Sequence, residues 1–238
     1  MGEKVEAPRA RTVKPIKERS VAQVFNRSAN TVARASLVFG PVGLFAVAAI
    51  LWFLYYSPAV TMVGIRRDQP IPFSHARHVG HNGIDCRYCH TSVEKSNFAG
   101  IPPTETCMTC HSQILSNATM FKPLQDSWKS GKPLKWARIY DLPDFVYFDH
   151  SIHIAKGVGC TTCHGEIDKM TLTYKATTLH MQWCLDCHKA PEKYLRPADQ
   201  VFSVTWKAPE NQLQIGAELA EKNNVHKDQL TNCSICHR

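Results

Sequence analysis

The chain has 238 residues, with ten Cys, twelve His and a formal net charge of +8, enough for one membrane anchor and one modest domain. Apolar residues make up 44% and charged residues 20%, which excludes both a disordered chain and an all-membrane protein, while 9% aromatic residues argue against a large conventional core. A nucleic-acid-binding reading of the basic excess fails on where the charges sit: residues 1–34 hold eight Lys/Arg against three Glu, leaving +5, whereas from Arg66 onward 20 basic residues face 17 acidic ones.

Between these regions, Ala35 to Ile65 carries no charge. Within that stretch Ser36–Tyr56 is a run of about twenty mostly apolar residues, the length a helix needs to cross a hydrocarbon core. The pattern predicts a transmembrane helix over 35–57, preceded by a cytoplasmic basic tail over 1–34. Trp52, Tyr55 and Tyr56 lie at its far end as an interfacial belt, and the positive-inside rule places the N-terminus in the cytoplasm and the remainder outside. A cleaved signal peptide is the competing reading, since Ser57-Pro58-Ala59 loosely fits a cleavage site. Against it, the basic region is long and the apolar run exceeds the usual core of about 7 to 15 residues. Ser36, Gly40, Gly43 and Ala46 recur about one helical turn apart, as on a face that packs against another membrane helix.

After a linker over 58–72, the exported domain spans 73–238. Every cysteine belongs to one pattern, Cys-x-x-Cys-His: Cys86/Cys89/His90, Cys107/Cys110/His111, Cys160/Cys163/His164, Cys184/Cys187/His188 and Cys233/Cys236/His237. This is the attachment signature of c-type haem, with two thioethers to the porphyrin vinyls and the adjacent imidazole on the iron. Zinc gives no reason for His to follow every pair immediately. With 12 His in 238 residues, five such coincidences arise about once in a few million. Attachment of haem in this way occurs outside the cytoplasmic membrane, which agrees with the side assigned by the anchor. Five haems leave about 36 exported residues each, too few for separate pockets. The expected fold is therefore a mostly irregular, short-helix multihaem domain with the porphyrins as its core and the thioethers as staples.

Seven His remain for the other axial positions: His75, His78, His81, His150, His153, His180 and His226. Four of them form a repeat, Phe73-Ser-His75-Ala-Arg-His78 and Phe148-Asp-His150-Ser-Ile-His153, lying 13 and 12 residues before Cys86 and Cys160. Each is followed by a second motif, so the domain reads as two-haem units over 73–111 and 148–188 plus a fifth haem over 226–238. On a helix, His at i and i+3 share a face yet diverge enough to reach two irons, the first serving its own unit and the second a neighbour. His180 and His226 precede their motifs closely enough to fold back, whereas His81 has no counterpart in the second repeat. Met181 is an alternative ligand that would raise the potential of its haem. If all five irons take two protein ligands, none is open to substrate, and no Ser/His/Asp order or phosphate loop is visible. The chain thus reads as an electron carrier without a catalytic site of its own. The exported charge of +3 is set against about ten haem propionates, so the working domain is not basic overall.

The repeat and motif arrangement resembles the multihaem cytochromes of the class III (c3/c7) kind. With one N-terminal anchor, five motifs, and the stretches Trp136 to His153, Met181 to His188 and Pro191 to Pro197, the chain is more specifically similar to the pentahaem cytochrome subunits of alternative complex III. The resemblance implies a role in a bacterial cytoplasmic-membrane complex that oxidises quinol. The implied partners are an iron-sulfur subunit, a quinol-binding membrane subunit, and a monohaem cytochrome c or terminal oxidase as acceptor. Membrane-anchored quinol dehydrogenase cytochromes that feed periplasmic reductases are the alternative, against which the five motifs and class III repeats count. A haem-based sensor or structural zinc protein is the non-electron-transfer alternative.

Overall fold

The structure is a computed structural model that describes residues 24–237; most of the expected basic tail lies outside the described residues. Helix α1, Ala29–Tyr56, spans 28 residues, or about 42 Å at 1.5 Å per residue. It begins before the apolar run does, because Ala29 to Arg34 contain neither Gly nor Pro and continue the helix through polar positions. Its mean hydropathy reaches 2.4 with none of that window buried, so it is long and apolar enough to cross a membrane. The chain divides into two compact units at Trp52/Phe53.

The second unit is built from short helices: α2 (Pro58–Thr61), α3 (Cys86–Cys89), α4 (Thr104–His111), α5 (Lys122–Ser130), α6 (His150–Ala155), α7 (Cys160–His164), α8 (Met181–Lys189), α9 (Gln212–Lys222) and α10 (Cys233–Cys236). Among the described residues there is no β-strand, only three isolated bridges. The mostly irregular, short-helix fold class expected from the sequence is what the chain adopts. Short helices of this kind have too little propensity to stand alone. Few apolar side chains assist them: Ile71, Val93, Leu124, Ile167, Met170, Leu195 and Val201 are buried, at about 1.5–3 kcal/mol each.

The stretch 58–72 is tied down. Gly64 N donates to Lys175 O (2.9 Å), and Gln69 exchanges two hydrogen bonds with Ala137, its amide donating to Ala137 O and its carbonyl accepting from Ala137 N (2.9 Å each). Gln and Gly in a polar segment give no sequence signal for such tethers. Helix α9 lies against the turn Pro191–Lys193, where a Cβ at Gly216 would overlap the Glu192 carbonyl. Buried Gln212 donates to both Glu192 O and Leu195 O at 2.9 Å.

Candidate functional site

All five Cys-x-x-Cys-His motifs sit on helices. The first motif of each two-motif unit makes a helix of about one turn, α3 or α7, while the second closes a longer one, α4 or α8, and α10 carries the last. Thiols at i and i+3 of a helical turn share one face. Asp85 caps α3 by accepting from Arg87 N at 2.8 Å.

The ten thiols are not equally sheltered. Eight are half-buried, whereas Cys110 and Cys233 are exposed. Helix α4 is tied at both ends: Thr104 hydrogen-bonds Ser127 of α5 at 2.7 Å, and the Thr109 hydroxyl in its last turn meets that of Tyr88 at 2.9 Å. Cys110 lies in that last turn, with Sγ 3.9 Å from the hydroxyl of the neighbouring Thr109.

The two Phe-x-His-x-x-His elements differ in backbone and agree in their rings. The first is a π-helical turn, Ala76–His81, capped by Ser74 Oγ accepting from Arg77 N; the second is the α-helix α6, capped by Asp149 accepting from Ser151 N. Such π turns occur often at functional sites. Phe73 meets His75 edge-on at 4.9 Å (87°) and stacks on His78 at 4.5 Å (25°); Phe148 meets His150 at 4.8 Å (89°) and stacks on His153 at 4.5 Å (24°). One aromatic ring therefore orients two imidazoles in each copy.

Backbone carbonyls fix which imidazole nitrogen is free. Nδ1 of His90, His111, His188 and His237 hydrogen-bonds to Gly100 O, Ile114 O, Leu230 O and Phe145 O at 2.7–3.0 Å. Nδ1 of His78, His150 and His153 does the same with Ser74 O, Asn97 O and Asp149 O at 2.6–2.8 Å. A carbonyl only accepts, so each of these Nδ1 atoms carries the proton and leaves the Nε2 lone pair available to a metal. His75 Nδ1 pairs instead with Thr173 Oγ1 at 3.0 Å.

The histidines face one another in twos. Ring centroids lie 6.1 Å apart for His78–His111, 6.5 Å for His150–His164 and 6.2 Å for His153–His188. Two metal–nitrogen bonds of about 2.0 Å, each extended by about 1.1 Å to the ring centroid, give about 6.2 Å. The pairs thus fit one iron between two imidazoles. Among the described residues no three His, Cys, Asp or Glu side chains converge as a structural zinc site requires. Both candidate ligands of the second repeat stay within its own unit: His150 faces the first motif and His153 the second. Burial first, then the charge of His90 and that of His78, holds the His75 imidazole down to about 4. Burial likewise lowers His164 to about 4, with His150, His90 and His75 contributing in that order. Buried imidazoles of this kind stay neutral at physiological pH, the form a metal binds.

His180 is half-buried, stacks on Tyr55 at 4.5 Å, and has a buried Nδ1 without a hydrogen-bond partner. His81 and His226 stand exposed, as does Met181. The structure adds residues that no motif announced: Tyr140, whose ring lies 4.4 Å from His164 and whose hydroxyl donates to Cys163 O, and Thr173 and Asn97 as imidazole anchors.

The motifs also succeed one another in space. Burial and then the neighbouring Cys89 raise the Cys107 thiol, and Tyr88 and Thr109 join their hydroxyls at 2.9 Å. The Cys86 and Cys160 thiols lie close enough for each to shift the other, lowering Cys86 and raising Cys160. Cys163 is pushed up to about 12 by burial and then by Cys187 and Cys184, and Cys184 is raised by burial and then by Cys236. These proximities link the second attachment site to the first, the first to the third, the third to the fourth and the fourth to the fifth. The two exposed thiols, Cys110 and Cys233, belong to the motifs at the two ends of this run.

Residues 152–238 match the cytochrome c3 family. The chain is also 32% identical, over 176 residues, to the menaquinone reductase multiheme cytochrome c subunit of Nitratidesulfovibrio vulgaris, a match covering 65% of this chain and 81% of that protein.

Proposed function

The chain belongs to the family of multihaem cytochrome c subunits that includes this Nitratidesulfovibrio protein, and from that membership we propose that it is the electron-relay subunit of a membrane-bound menaquinone reductase-type complex, carrying five haems. Bound haem supplies one-electron iron chemistry. The ten motif cysteines, the exposed Cys110 and Cys233 among them, hold the five groups, and His90, His111, His164, His188 and His237 each give one axial nitrogen. His75, His78, His150 and His153 give the second nitrogen to the first, second, third and fourth sites in that order. The facing imidazole pairs carry this reading, because neutral rings with Nδ1 committed to a carbonyl are already set at the spacing of one shared iron. His180 and His226 are the candidates for the fifth site.

The run of attachment sites then forms one path with the second motif at one end and the C-terminal motif at the other. Helix α1 anchors the chain in the bacterial cytoplasmic membrane, the basic tail lies in the cytoplasm, and the domain over 73–238 faces the periplasm. The resemblance to alternative complex III favours the quinol-oxidising direction, with an iron-sulfur subunit as donor and a cytochrome c or terminal oxidase as acceptor. The Nitratidesulfovibrio relative, a menaquinone reductase subunit, favours the reverse direction, into menaquinone.

A pyridine haemochrome assay on the isolated complex is expected to give five haems for this chain, and optical and paramagnetic resonance spectra of the untreated complex are expected to be low-spin throughout. Fewer haems, or a large high-spin fraction, sinks the ligand assignment. The same complex, mixed in turn with a menaquinol analogue and with reduced cytochrome c, decides the direction by which donor reduces the haems faster.

A further inference from the structure

The first and third motifs belong to units joined by the Thr173–His75 and Ala76–Met170 hydrogen bonds, and occupy equivalent places in the two units. Their arginines are unlike. Arg87, inside the first motif, is half-exposed; its Nε and a terminal NH₂ group both donate to Asp85 at 2.9 Å, with Glu94 at 3.8 Å as a further acidic neighbour. Its charge is neutralised at the surface.

Arg196 is 4% exposed. It donates only to neutral acceptors: Thr161 Oγ1 (2.6 Å) and Thr162 Oγ1 (3.3 Å), both between Cys160 and Cys163, and Ser203 O (3.2 Å). Its Nε has no partner, its plane lies over Trp206 at 4.5 Å, and among the described residues no carboxylate comes within ion-pair distance. The placement is built into the backbone. A Cβ at Gly159, the residue before Cys160, would overlap the guanidinium, so only glycine leaves room for it. Within the chain itself this cation has no counter-charge, and burying a cation is costly; a charge inside a protein acts over longer range than one screened by water.

We propose that Arg196 is a positioning charge that raises the reduction potential of the haem held at Cys160 and Cys163 above that of the haem held at Cys86 and Cys89. The inference rests on the haem assignment above. Reduction adds one electron and so removes one positive charge from the iron site; a fixed cation nearby favours that reduced state. The pseudo-equivalent first site has no such net charge. The two central positions of the path are thereby made unequal, and the third becomes the one where an electron rests.

The test is a redox titration of the full complex, followed by optical and electron paramagnetic resonance spectra. The pairs His150–His164 at 15° and His153–His188 at 30° are both near-parallel and give rhombic low-spin signals, and the third haem is the one whose signal is lost in His150→Ala. In Arg196→Gln, the oxidised-to-reduced ratio of that haem at fixed potential should rise about tenfold, equivalent to about 59 mV for one electron. Arg196→Lys should stay within about threefold of the wild type. Thr161→Asp keeps the guanidinium but sets a carboxylate against it, and should lower the same haem. If R196Q and T161D keep five haems and every potential within threefold, the proposal is overturned. Loss of this haem from both R196Q and R196K assigns Arg196 to packing and also overturns it. A wild-type complex with fewer than five haems fails at the earlier step, in the haem assignment itself.

Discussion

The units 73–111 and 148–188 solve one geometric problem with different backbones. A π-helical turn in the first and an α-helix in the second place Phe and His rings at separations matching within 0.1 Å and angles within 2°. The shared constraint is the ring cluster, and the local helix type is free to differ. The anchors are also exchanged between the units. His75 is held by Thr173 and Ala76 N donates to Met170 O, both acceptors lying between the motifs of the second unit. His150 Nδ1 donates to Asn97 O and Ser151 N to Ser96 O, both between the motifs of the first. Neither unit positions its leading histidine alone, which makes the four-motif region a single cooperative body.

Removing either leading histidine should have the largest effect and the same effect. His75→Ala and His150→Ala are each expected to turn about one fifth of the low-spin haem signal high-spin, because one iron of five loses its second nitrogen. Optical and paramagnetic resonance spectra check this; a signal unchanged in one variant and lost in the other breaks the equivalence. Next in size is a position where the copies differ. Gly80 and Ala155 both lie seven residues after their Phe, but a Cβ at Gly80 would overlap the Asp168 carbonyl oxygen in the second unit. Gly80→Ala should cost about 1–3 kcal/mol, read as a fall in Tm of several degrees. Ala155→Gly should cost no more than about 1 kcal/mol. A Tm for Gly80→Ala at or above the wild type removes the contact from the account.

Much of this was legible in the residues. Cys-x-x-Cys-His and Phe-x-His-x-x-His are contiguous patterns whose chemistry is local, and together with the low aromatic content they pointed to the short-helix multihaem fold that the cytochrome c3 match bears out. The anchors were not legible. Asn97 acts through its backbone carbonyl, which every residue possesses, and Thr173 is an ordinary threonine until the fold brings it to His75. The exposure of Cys110 was hidden for a related reason: its motif follows the same Cys-x-x-Cys-His pattern as the others, and only the three-dimensional packing sets it apart. Arg196 reads as one basic residue among 28; its isolation from carboxylates is a property of the three-dimensional packing. The segment 203–230 carried no motif, yet it supplies α9 and Leu230, whose carbonyl fixes His188.

That difference between side-chain and backbone anchors gives the smallest and sharpest test. Thr173→Val removes the hydroxyl facing His75 Nδ1 while keeping its shape, and leaves a half-buried donor unpaired, at a cost of about 1 kcal/mol. It should also loosen the imidazole orientation at the first site, since a histidine ligand is steered by the partner of its other nitrogen. Asn97→Ala deletes a side chain but retains the carbonyl that accepts from both His150 N and His150 Nδ1, so its effect should fall within about 0.5 kcal/mol. Thermal unfolding of the two variants, with resonance spectra of the low-spin haems, measures the contrast. Equal losses would mean that the Asn97 side chain shapes its loop, and the exchange of anchors would then rest on side chains in both directions.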